Sequence, residues 1–316
     1  MSAASASRLA AGFGAVICDL DGVLYRGPRA VRYAVPSLGA LGESVHFATN
    51  NASRTPEEVV DHLRRLGLDV ERGAVTTSAE AGAVEVRTRV GRGSTILVIG
   101  GAGVGVAVSE QGGTPVREYR DGVAAVLQGY GPEVRAADLA EAAYAIEGGA
   151  LWVATNADKT LPTDRGIAPG NGTLVAAVAE AAGREPDVVA GKPHPPLYRL
   201  ALARCGVEPG RALAIGDRLD TDIAGAHALG MSSLHVLTGV DGLKEVLFAP
   251  ADRRPTWVVP DLRWLHRPGT DPTLTAVRAL LTDAWTALDA GSRDPHWISD
   301  TLAALDAVAR TGATVG

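Results

Sequence analysis

Four apolar runs in this chain end abruptly in clusters of polar residues. Each run is long enough for a buried strand. The runs and the clusters that follow them are 13–18 with Asp19-Leu20-Asp21-Gly22, 44–48 with Thr49-Asn50-Asn51, 186–190 with Gly191-Lys192-Pro193, and 212–215 with Gly216-Asp217-Arg218-Leu219-Asp220-Thr221-Asp222. Open α/β sheets bind ligands beyond the carboxyl ends of their strands, so we expect the polar clusters to form one site.

Helical patterns separate these runs, and the long stretch between the second and third clusters has a strand and helix rhythm of its own. The pattern predicts a doubly wound, parallel-sheet α/β core with an inserted α/β cap domain. A helix is expected at 174–182 in the insertion, capped by Asn171 or Thr173. The predicted segments are 1–78 for the first part of the core, 79–189 for the cap, 190–265 for the second part of the core and 266–316 for a helical extension.

The predicted extension carries apolar residues at helical spacing in 271–290 and again in 297–309. Two amphipathic helices must bury their apolar faces. They therefore either pack on the rest of the chain or form a contact between subunits. Covering the chain's own core is the commoner outcome.

Composition narrows the class of protein. With 316 residues, of which 46% are hydrophobic, the chain can hold two domains. A formal net charge of −6 with no basic block argues against a nucleic-acid partner. The presence of only two cysteines fits a reducing compartment. No run approaches the ~20 apolar residues that a membrane span needs. The amino-terminal MSAASASRLAAG lacks the apolar core of a signal peptide. These features predict a cytoplasmic protein without a membrane partner.

The first polar cluster places two carboxylates, those of Asp19 and Asp21, two positions apart. Such a pair is repulsive unless a cation lies close by. A divalent ion such as Mg²⁺ meets that need, since it takes oxygen ligands from carboxylates, a carbonyl and a bound phosphate. Asp-x-Asp-Gly after a strand is also a common turn. The three further clusters favour a metal-assisted site over a turn alone.

Taken in order, the four clusters resemble the four motifs of the haloacid dehalogenase superfamily of phosphohydrolases. The long insertion, with Ala154-Thr155-Asn156-Ala157-Asp158 and Pro169-Gly170-Asn171-Gly172, is similar to the C2-type cap of the branch that holds NagD-like, phosphoglycolate and glycerol phosphate phosphatases. The resemblance covers roughly residues 10–262. It implies Mg²⁺-dependent hydrolysis of a phosphate monoester through a covalent aspartyl phosphate.

The resemblance also implies a role for each motif residue. Asp19 is the expected nucleophile, Asp21 the general acid and base, and Lys192 the fixed cation at the phosphate. The expected metal ligands are the carboxylates of Asp19 and Asp217 and the backbone carbonyl of Asp21, with Asp222 either binding the metal or orienting its ligands. The expected substrate-binding residues are Thr49, Asn50, Asn51, Asn156 and Asp158, the last two in a cap loop whose contacts the sequence leaves open.

The predicted substrate is glycerol 3-phosphate, followed by phosphoglycolate and then by a nucleotide or pyridoxal phosphate. Glycerol 3-phosphate comes first because a phosphatase of this branch with an added carboxyl-terminal segment looks most like the glycerol phosphate enzymes. The cap loop 156–163 offers polar groups suited to a diol and no aromatic ring on which a base could stack. Lys159 or Arg165 could meet a substrate carboxylate, which keeps phosphoglycolate second.

Other functions stay open at this stage. The chain could bind phosphate as a regulatory protein without turnover, or transfer the phosphoryl group to an acceptor other than water. The glycine-rich stretch 100–105 invites a nicotinamide site, but its glycines do not fall at the positions of the dinucleotide fingerprint. The sequence also leaves a homodimer open.

Overall fold

The structure is a computed structural model, which describes residues 8–163 and 165–311. Residues 1–7, the first part of the amino-terminal MSAASASRLAAG, lie outside the described residues. The described residues divide into two compact units. The first comprises 8–47, 66–68 and 205–311, and the second comprises 48–65 and 69–204 without residue 164. Within these ranges, no helix combines the length and hydropathy needed to cross a membrane.

Strands and helices alternate along most of the chain. The strands are β1 (Ala15–Cys18), β2 (Tyr25–Arg26), β3 (Arg29–Ala30), β4 (Val45–Thr49), β5 (Val75–Thr77), β6 (Thr95–Ile99), β7 (Thr114–Val116), β8 (Val123–Gln128), β9 (Leu151–Ala154), β10 (Thr160–Thr163), β11 (Gly166–Pro169), β12 (Val188–Val189), β13 (Ala212–Gly216), β14 (Ser232–Val236) and β15 (Trp257–Val259). The helices are α1 (Ala34–Gly39), α2 (Pro56–Arg65), α3 (Ser78–Val90), α4 (Ala102–Glu110), α5 (Ala136–Glu147), α6 (Asn171–Ala182), α7 (Pro195–Cys205), α8 (Ala224–Ala228), α9 (Leu243–Leu247), α10 (Pro272–Asp289) and α11 (Pro295–Thr311).

A six-stranded sheet has the order β15-β14-β13-β1-β4-β5. Strand β1 lies between β13 and β4 and runs parallel to both, with Cys18 opposite Ile215 on one side and Phe47 on the other. All four residues of β1 and all five of β13 are buried, which explains why both sequences are continuous apolar runs. The predicted parallel-sheet α/β class is confirmed.

A second sheet, also parallel, has the order β12-β9-β8-β6-β7. Helices α5 and α6 contribute to the apolar cluster around Trp152 on one face, and α3 and α4 contribute to the cluster around Leu127 on the other. The inserted segment is therefore an α/β layer structure in its own right. The compact unit that contains this sheet, 48–65 and 69–204, is larger than the predicted cap segment 79–189. The segment boundaries stay a prediction.

The start of α6 differs from its prediction. The helix begins at Asn171 with Gly170, which has no side chain, as its N-cap, so the expected cap from Asn171 or Thr173 is wrong. The Asn171 amide instead donates to the carbonyl oxygens of Asn156 at 2.7 Å and Gln128 at 3.4 Å. It thereby joins the last residue of β8 to the loop that follows β9.

The carboxyl-terminal helices cover the core of the first unit. Val277 and Leu281 of α10 and Leu305 of α11 are buried in one apolar cluster with residues of α9 and β15. The guanidinium of Arg254 donates to both carboxylate oxygens of Asp289, at 2.6 and 2.7 Å, and lies 5.3 Å from the ring centre of Trp285. Packing on the chain's own core is thus the outcome observed for the described part of the extension.

A buried carboxylate organises polar contacts in the second unit. Glu80 is only 2% exposed, and its Oε1 accepts from Arg72 at 2.9 Å and from Arg204 at 2.7 Å. Its Oε2 accepts from the Thr77 N–H at 2.8 Å, which completes a capping box at the start of α3. Glu57 also binds Arg72, but the Glu57 side chain is 57% exposed.

Replacing Glu80 by glutamine is expected to lower the free energy of unfolding by about 3 kcal/mol, because two guanidinium groups lose their buried counter-charge. The matched variant Glu57→Gln is expected to cost less than about 1 kcal/mol, since an exposed ion pair contributes little. Urea denaturation of both variants measures the difference. Equal losses would show that burial of the pair does not set its contribution.

Candidate active site

The first acid pair lies in the turn that follows β1. The Asp19 N–H donates to the Ile215 carbonyl at 2.9 Å, which continues the pairing of β1 with β13. The chain then turns at Gly22, whose φ of 83° favours glycine. Asp19 is half-buried, whereas Asp21 is exposed. Two carboxylates that are close in sequence therefore occupy different environments.

Three carboxylates converge at this end of the sheet. Ligand atoms of Asp19, Asp217 and Asp222 all lie within 4.8 Å of one another, and the last two residues are each 1% exposed. Asp217 follows β13, the neighbour of β1, and Asp222 lies in a π-helical turn, Leu219–Ile223, that leads into α8. The sequence predicts Asp19 and Asp217 as metal ligands and Asp222 as a ligand or an orienting group, and the structure brings the three side chains together.

Two glycines allow the chain to close around Asp217. A Cβ atom added at Gly239 would lie 1.7 Å from Asp217 Oδ2, and one added at Gly22 would lie 2.2 Å from the same atom. The N–H of Val240 donates to this oxygen at 2.7 Å. The segment 238–241 is therefore part of the site, although its sequence does not predict such a role. The feature of the sequence that could have indicated this role is Gly239, a glycine shortly after the apolar run of β14.

The same segment is tied to the turn after β1. Thr238 donates its hydroxyl to the Gly22 carbonyl at 2.9 Å, and Arg26 donates to the Gly239 carbonyl at 3.2 Å. Behind the segment, a ring nitrogen of His235 lies 2.9 Å from the Asp241 carbonyl, and burial lowers the pKa of this histidine. This contact ties the end of the segment to β14.

The carboxylate cluster fits a hard divalent cation. Three carboxylates this close repel one another, and two of them are almost fully removed from water. Oxygen donors at short spacing are the ligands that Mg²⁺ and Ca²⁺ take in proteins. The cluster is therefore a candidate metal site made of acidic residues.

The second unit holds the predicted cation and hydroxyl. Lys192 is 2% exposed, its ammonium donates to the Ala48 carbonyl at 2.9 Å, and it lies 5.9 Å from the ring centre of Tyr198. Thr49, the last residue of β4, is also buried, and its hydroxyl accepts from the Asn51 N–H at 3.1 Å. A lysine held this far from water is not an ordinary surface residue.

The remaining predicted binding residues, Asn50, Asn51, Asn156 and Asp158, form hydrogen bonds within the second unit. The Asn50 amide donates to both carboxylate oxygens of Asp158 at 3.2 Å and to the Lys192 carbonyl at 3.0 Å. Asn156, 3% exposed, donates to the Asn50 carbonyl at 2.7 Å, and Asn51 Oδ1 accepts from the Ser53 N–H at 2.9 Å. Substrate contact by these side chains stays a prediction, and the geometry favours a supporting role for Asn156.

The glycine-rich stretch that invites a nicotinamide site is filled by the protein's own backbone. A Cβ atom at Gly101 would lie 2.5 Å from the Ser53 carbonyl oxygen, and one at Gly103 would lie 2.2 Å from that of Arg54. The Gly103 N–H donates to the Ser53 carbonyl at 3.2 Å. At the start of α4, a peptide carbonyl therefore occupies the position that a phosphate group takes in a dinucleotide-binding fold.

Replacing Gly103 by alanine is expected to lower the free energy of unfolding by about 1–3 kcal/mol, because the added methyl group must displace backbone. Gly105 offers a matched control in the same helix, since a Cβ atom there would meet nothing within 4 Å. Gly105→Ala is expected to stabilise the protein by about 0.5–1 kcal/mol. Thermal denaturation measures both values. Stabilisation by both substitutions would contradict the close approach at Gly103.

Comparison with known proteins places these features in one family. The family model described as haloacid dehalogenase-like hydrolase matches residues 16–114, and a second model, HAD-hydrolase-like, matches residues 189–265. A D-glycerol 3-phosphate phosphatase from Mycobacterium tuberculosis is 45% identical over 262 residues, which are 83% of this chain and 72% of that protein. An acid sugar phosphatase from Staphylococcus aureus is 33% identical over 235 residues, 73% of this chain and 89% of that protein.

Solved structures agree in fold. A glycerol phosphate phosphatase from Mycobacterium tuberculosis in complex with magnesium has a TM-score of 0.82 at 40% identity, over 88% of this chain and 92% of that one. NagD from Escherichia coli K-12 has a TM-score of 0.71 at 30% identity, over 79% of this chain and 97% of that one. The chain belongs to the haloacid dehalogenase-like hydrolases, in the branch that includes NagD and the glycerol phosphate phosphatases.

Proposed function

We propose that this protein is a Mg²⁺-dependent phosphatase that hydrolyses a small phosphorylated metabolite, with glycerol 3-phosphate as its preferred substrate. The observation that carries the proposal is the convergence of Asp19, Asp217 and Asp222 within 4.8 Å at the end of a buried parallel sheet. The similarity to a D-glycerol 3-phosphate phosphatase and to a magnesium complex of a glycerol phosphate phosphatase supports both the substrate and the metal.

The metal would be held by the carboxylates of Asp19 and Asp217 and the backbone carbonyl of Asp21, with Asp222 as a further ligand or as an orienting group. When bound, it would neutralise charge on the phosphoryl oxygens and on the nucleophile. The buried Lys192 ammonium and the Thr49 hydroxyl would bind phosphoryl oxygens.

The proposed reaction has two steps. An Asp19 carboxylate oxygen attacks phosphorus, the bond from phosphorus to the ester oxygen breaks, and Asp21 donates a proton to the leaving alkoxide. Asp21 then accepts a proton from water as the water oxygen attacks phosphorus. The bond from phosphorus to Asp19 breaks, which releases inorganic phosphate and restores the carboxylate. The exposed position of Asp21 is compatible with contact to a leaving group and to water.

The metal assignment has a direct test. Treatment with EDTA followed by gel filtration is expected to abolish phosphate release, and added Mg²⁺ is expected to restore it. Calorimetric titration of the apoprotein with Mg²⁺ supplies a readout that does not depend on turnover. Full activity after complete removal of divalent ions would refute the metal requirement.

The substrate is tested by comparing kcat/KM for glycerol 3-phosphate, phosphoglycolate, pyridoxal phosphate and a nucleoside monophosphate. Glycerol 3-phosphate is expected to give the largest value. If another of these substrates exceeds it by tenfold, about 1.4 kcal/mol of transition-state stabilisation, the substrate assignment is wrong. Phosphate binding without turnover of any of the four would favour a regulatory phosphate-binding protein. A cytoplasmic location and a homodimer stay predictions.

A further inference from the structure

The side chain of Asn50 binds the main chain of Lys192 at two points. Asn50 Oδ1 accepts from the Lys192 N–H at 2.8 Å, and Asn50 Nδ2 donates to the Lys192 carbonyl at 3.0 Å. This pairing reproduces the donor and acceptor pattern of a β-ladder with a single amide side chain. We call these two hydrogen bonds the Asn50 clamp.

Asn50 is itself held in place by neighbouring polar groups. Its carbonyl oxygen accepts from the Ser78 hydroxyl at 2.6 Å and from the Asn156 amide at 2.7 Å. A Cβ atom at Gly191 would lie 2.6 Å from Asn50 Oδ1, so glycine is needed next to the lysine for the clamp to close. Both ends of the clamp are therefore fixed by the surrounding structure.

A lysine needs such support more than an arginine does. Its ammonium is a point charge on a flexible four-carbon stem, and burial of that charge is costly unless its partners are precisely placed. In this chain the stem starts from a main chain fixed by Asn50, and the ammonium ends 2.9 Å from the Ala48 carbonyl. Fixing the start of the stem restricts where its charged end can lie.

We propose that Asn50 is a positioning residue that acts through Lys192, rather than a side chain that acts on the substrate by its own contact. This inference rests on the proposed function, in which Lys192 binds the phosphoryl group. It differs from the sequence-based prediction, which assigns Asn50 to substrate binding. It also gives a role to Ser78 and Asn156, which hold the Asn50 carbonyl.

A double-mutant cycle separates the two roles of Asn50. Asn50→Ala is expected to lower kcat/KM by about 10²-fold in the wild-type background, the scale of effect that a small misplacement of a catalytic group produces. In the Lys192→Ala background the same substitution is expected to change kcat/KM by less than about twofold, because the group it positions is absent. An undiminished loss in that background would overturn the proposal, since Asn50 would then act by its own substrate contact or through Asp158 rather than through Lys192.

A second readout does not depend on activity. The chain contains three lysines, Lys159, Lys192 and Lys244, so ¹⁵N-lysine labelling yields three backbone amide signals. The Lys192 amide is expected to exchange slowly with solvent in the wild-type protein and at least tenfold faster in Asn50→Ala. Asn51→Ala, which removes the neighbouring amide, is expected to leave this exchange rate unchanged. Unchanged exchange in Asn50→Ala would show that the clamp does not hold Lys192.

Two further controls keep the outcome interpretable. If Asn50→Ala does not fold, Asn50→Ser serves instead, because its short hydroxyl cannot bond both the Lys192 N–H and the Lys192 carbonyl, and it adds no charge beside Asp158. In this variant the Lys192 amide is expected to exchange faster than in wild type, and exchange at the wild-type rate would contradict the clamp. If the wild-type protein releases no phosphate from any substrate, the proposed function fails, and the exchange experiment still decides whether Asn50 holds Lys192.

Discussion

Replacing Asp19 by asparagine is expected to reduce phosphate release by about 10⁴-fold or more, as removal of a nucleophile does in other covalent mechanisms. An amide oxygen is a far weaker nucleophile than a carboxylate oxygen, so the first step loses its attacking group. The substitution is nearly isosteric, and the Asp19 N–H can keep its bond to the Ile215 carbonyl. The fold should therefore survive.

The control for this variant is Asp220→Asn. Asp220 lies in the same acidic segment as Asp217, but it is exposed and pairs with Arg218 at 3.2 Å. Steady-state turnover of glycerol 3-phosphate is expected to stay within about twofold of wild type in this control, since a surface ion pair contributes little. Circular dichroism checks the fold of both variants. A folded Asp19→Asn protein with normal turnover would exclude Asp19 as the nucleophile.

Asp21→Asn is expected to lower the rate with glycerol 3-phosphate by about 10²–10⁴-fold, because an amide cannot donate a proton to the leaving alkoxide. With p-nitrophenyl phosphate, whose leaving group needs no proton, the first step is expected to survive. The second step still lacks its base, so the phosphorylated enzyme should accumulate. Stopped-flow absorbance should then show a burst of nitrophenolate followed by slow turnover. Equal losses with both substrates and no burst would contradict the assignment of Asp21 as general acid.

The sequence was most informative where a buried strand meets a polar cluster. A strand covered on both faces leaves a continuous apolar run, and the polar residues after it are then conspicuous. Asp19 and Asp217 could be placed in this way because β1 and β13 are adjacent in the sheet. Lys192 was found by the same argument, although β12, which precedes it, has only two residues.

Other parts of the site left little trace in the sequence. The segment 238–241 reaches Asp217 through a backbone N–H, which any residue except proline can supply. Only the close approach at Gly239 restricts the residue type, and a single glycine after a strand is also an ordinary turn signal. The Asn50 clamp was missed for a related reason, since its partner lies far along the chain and offers only main-chain atoms.

The cap loop 156–163 shows that polar composition alone does not identify substrate contacts. Its polar residues are predicted substrate contacts, and that prediction stays open. In the structure the Asn156 amide donates to the Asn50 carbonyl, and Asp158 accepts from the Asn50 amide. Residues of the same loop, Thr160–Thr163, form a strand paired with Gly166–Pro169, which the sequence analysis did not predict. A proline weakens the sequence signal for a strand, although it is tolerated at the edge of a sheet.

The most direct test of the proposed mechanism is to identify the phosphorylated residue. The Asp21→Asn variant is mixed with p-nitrophenyl phosphate and Mg²⁺, quenched in acid within the burst, digested and examined by mass spectrometry. The mechanism predicts one phosphoryl group on the peptide that contains Asp19, and none when Asp19 is also replaced by asparagine. A phosphoryl group on another residue, or a burst without any phosphorylated peptide, would contradict covalent catalysis by Asp19.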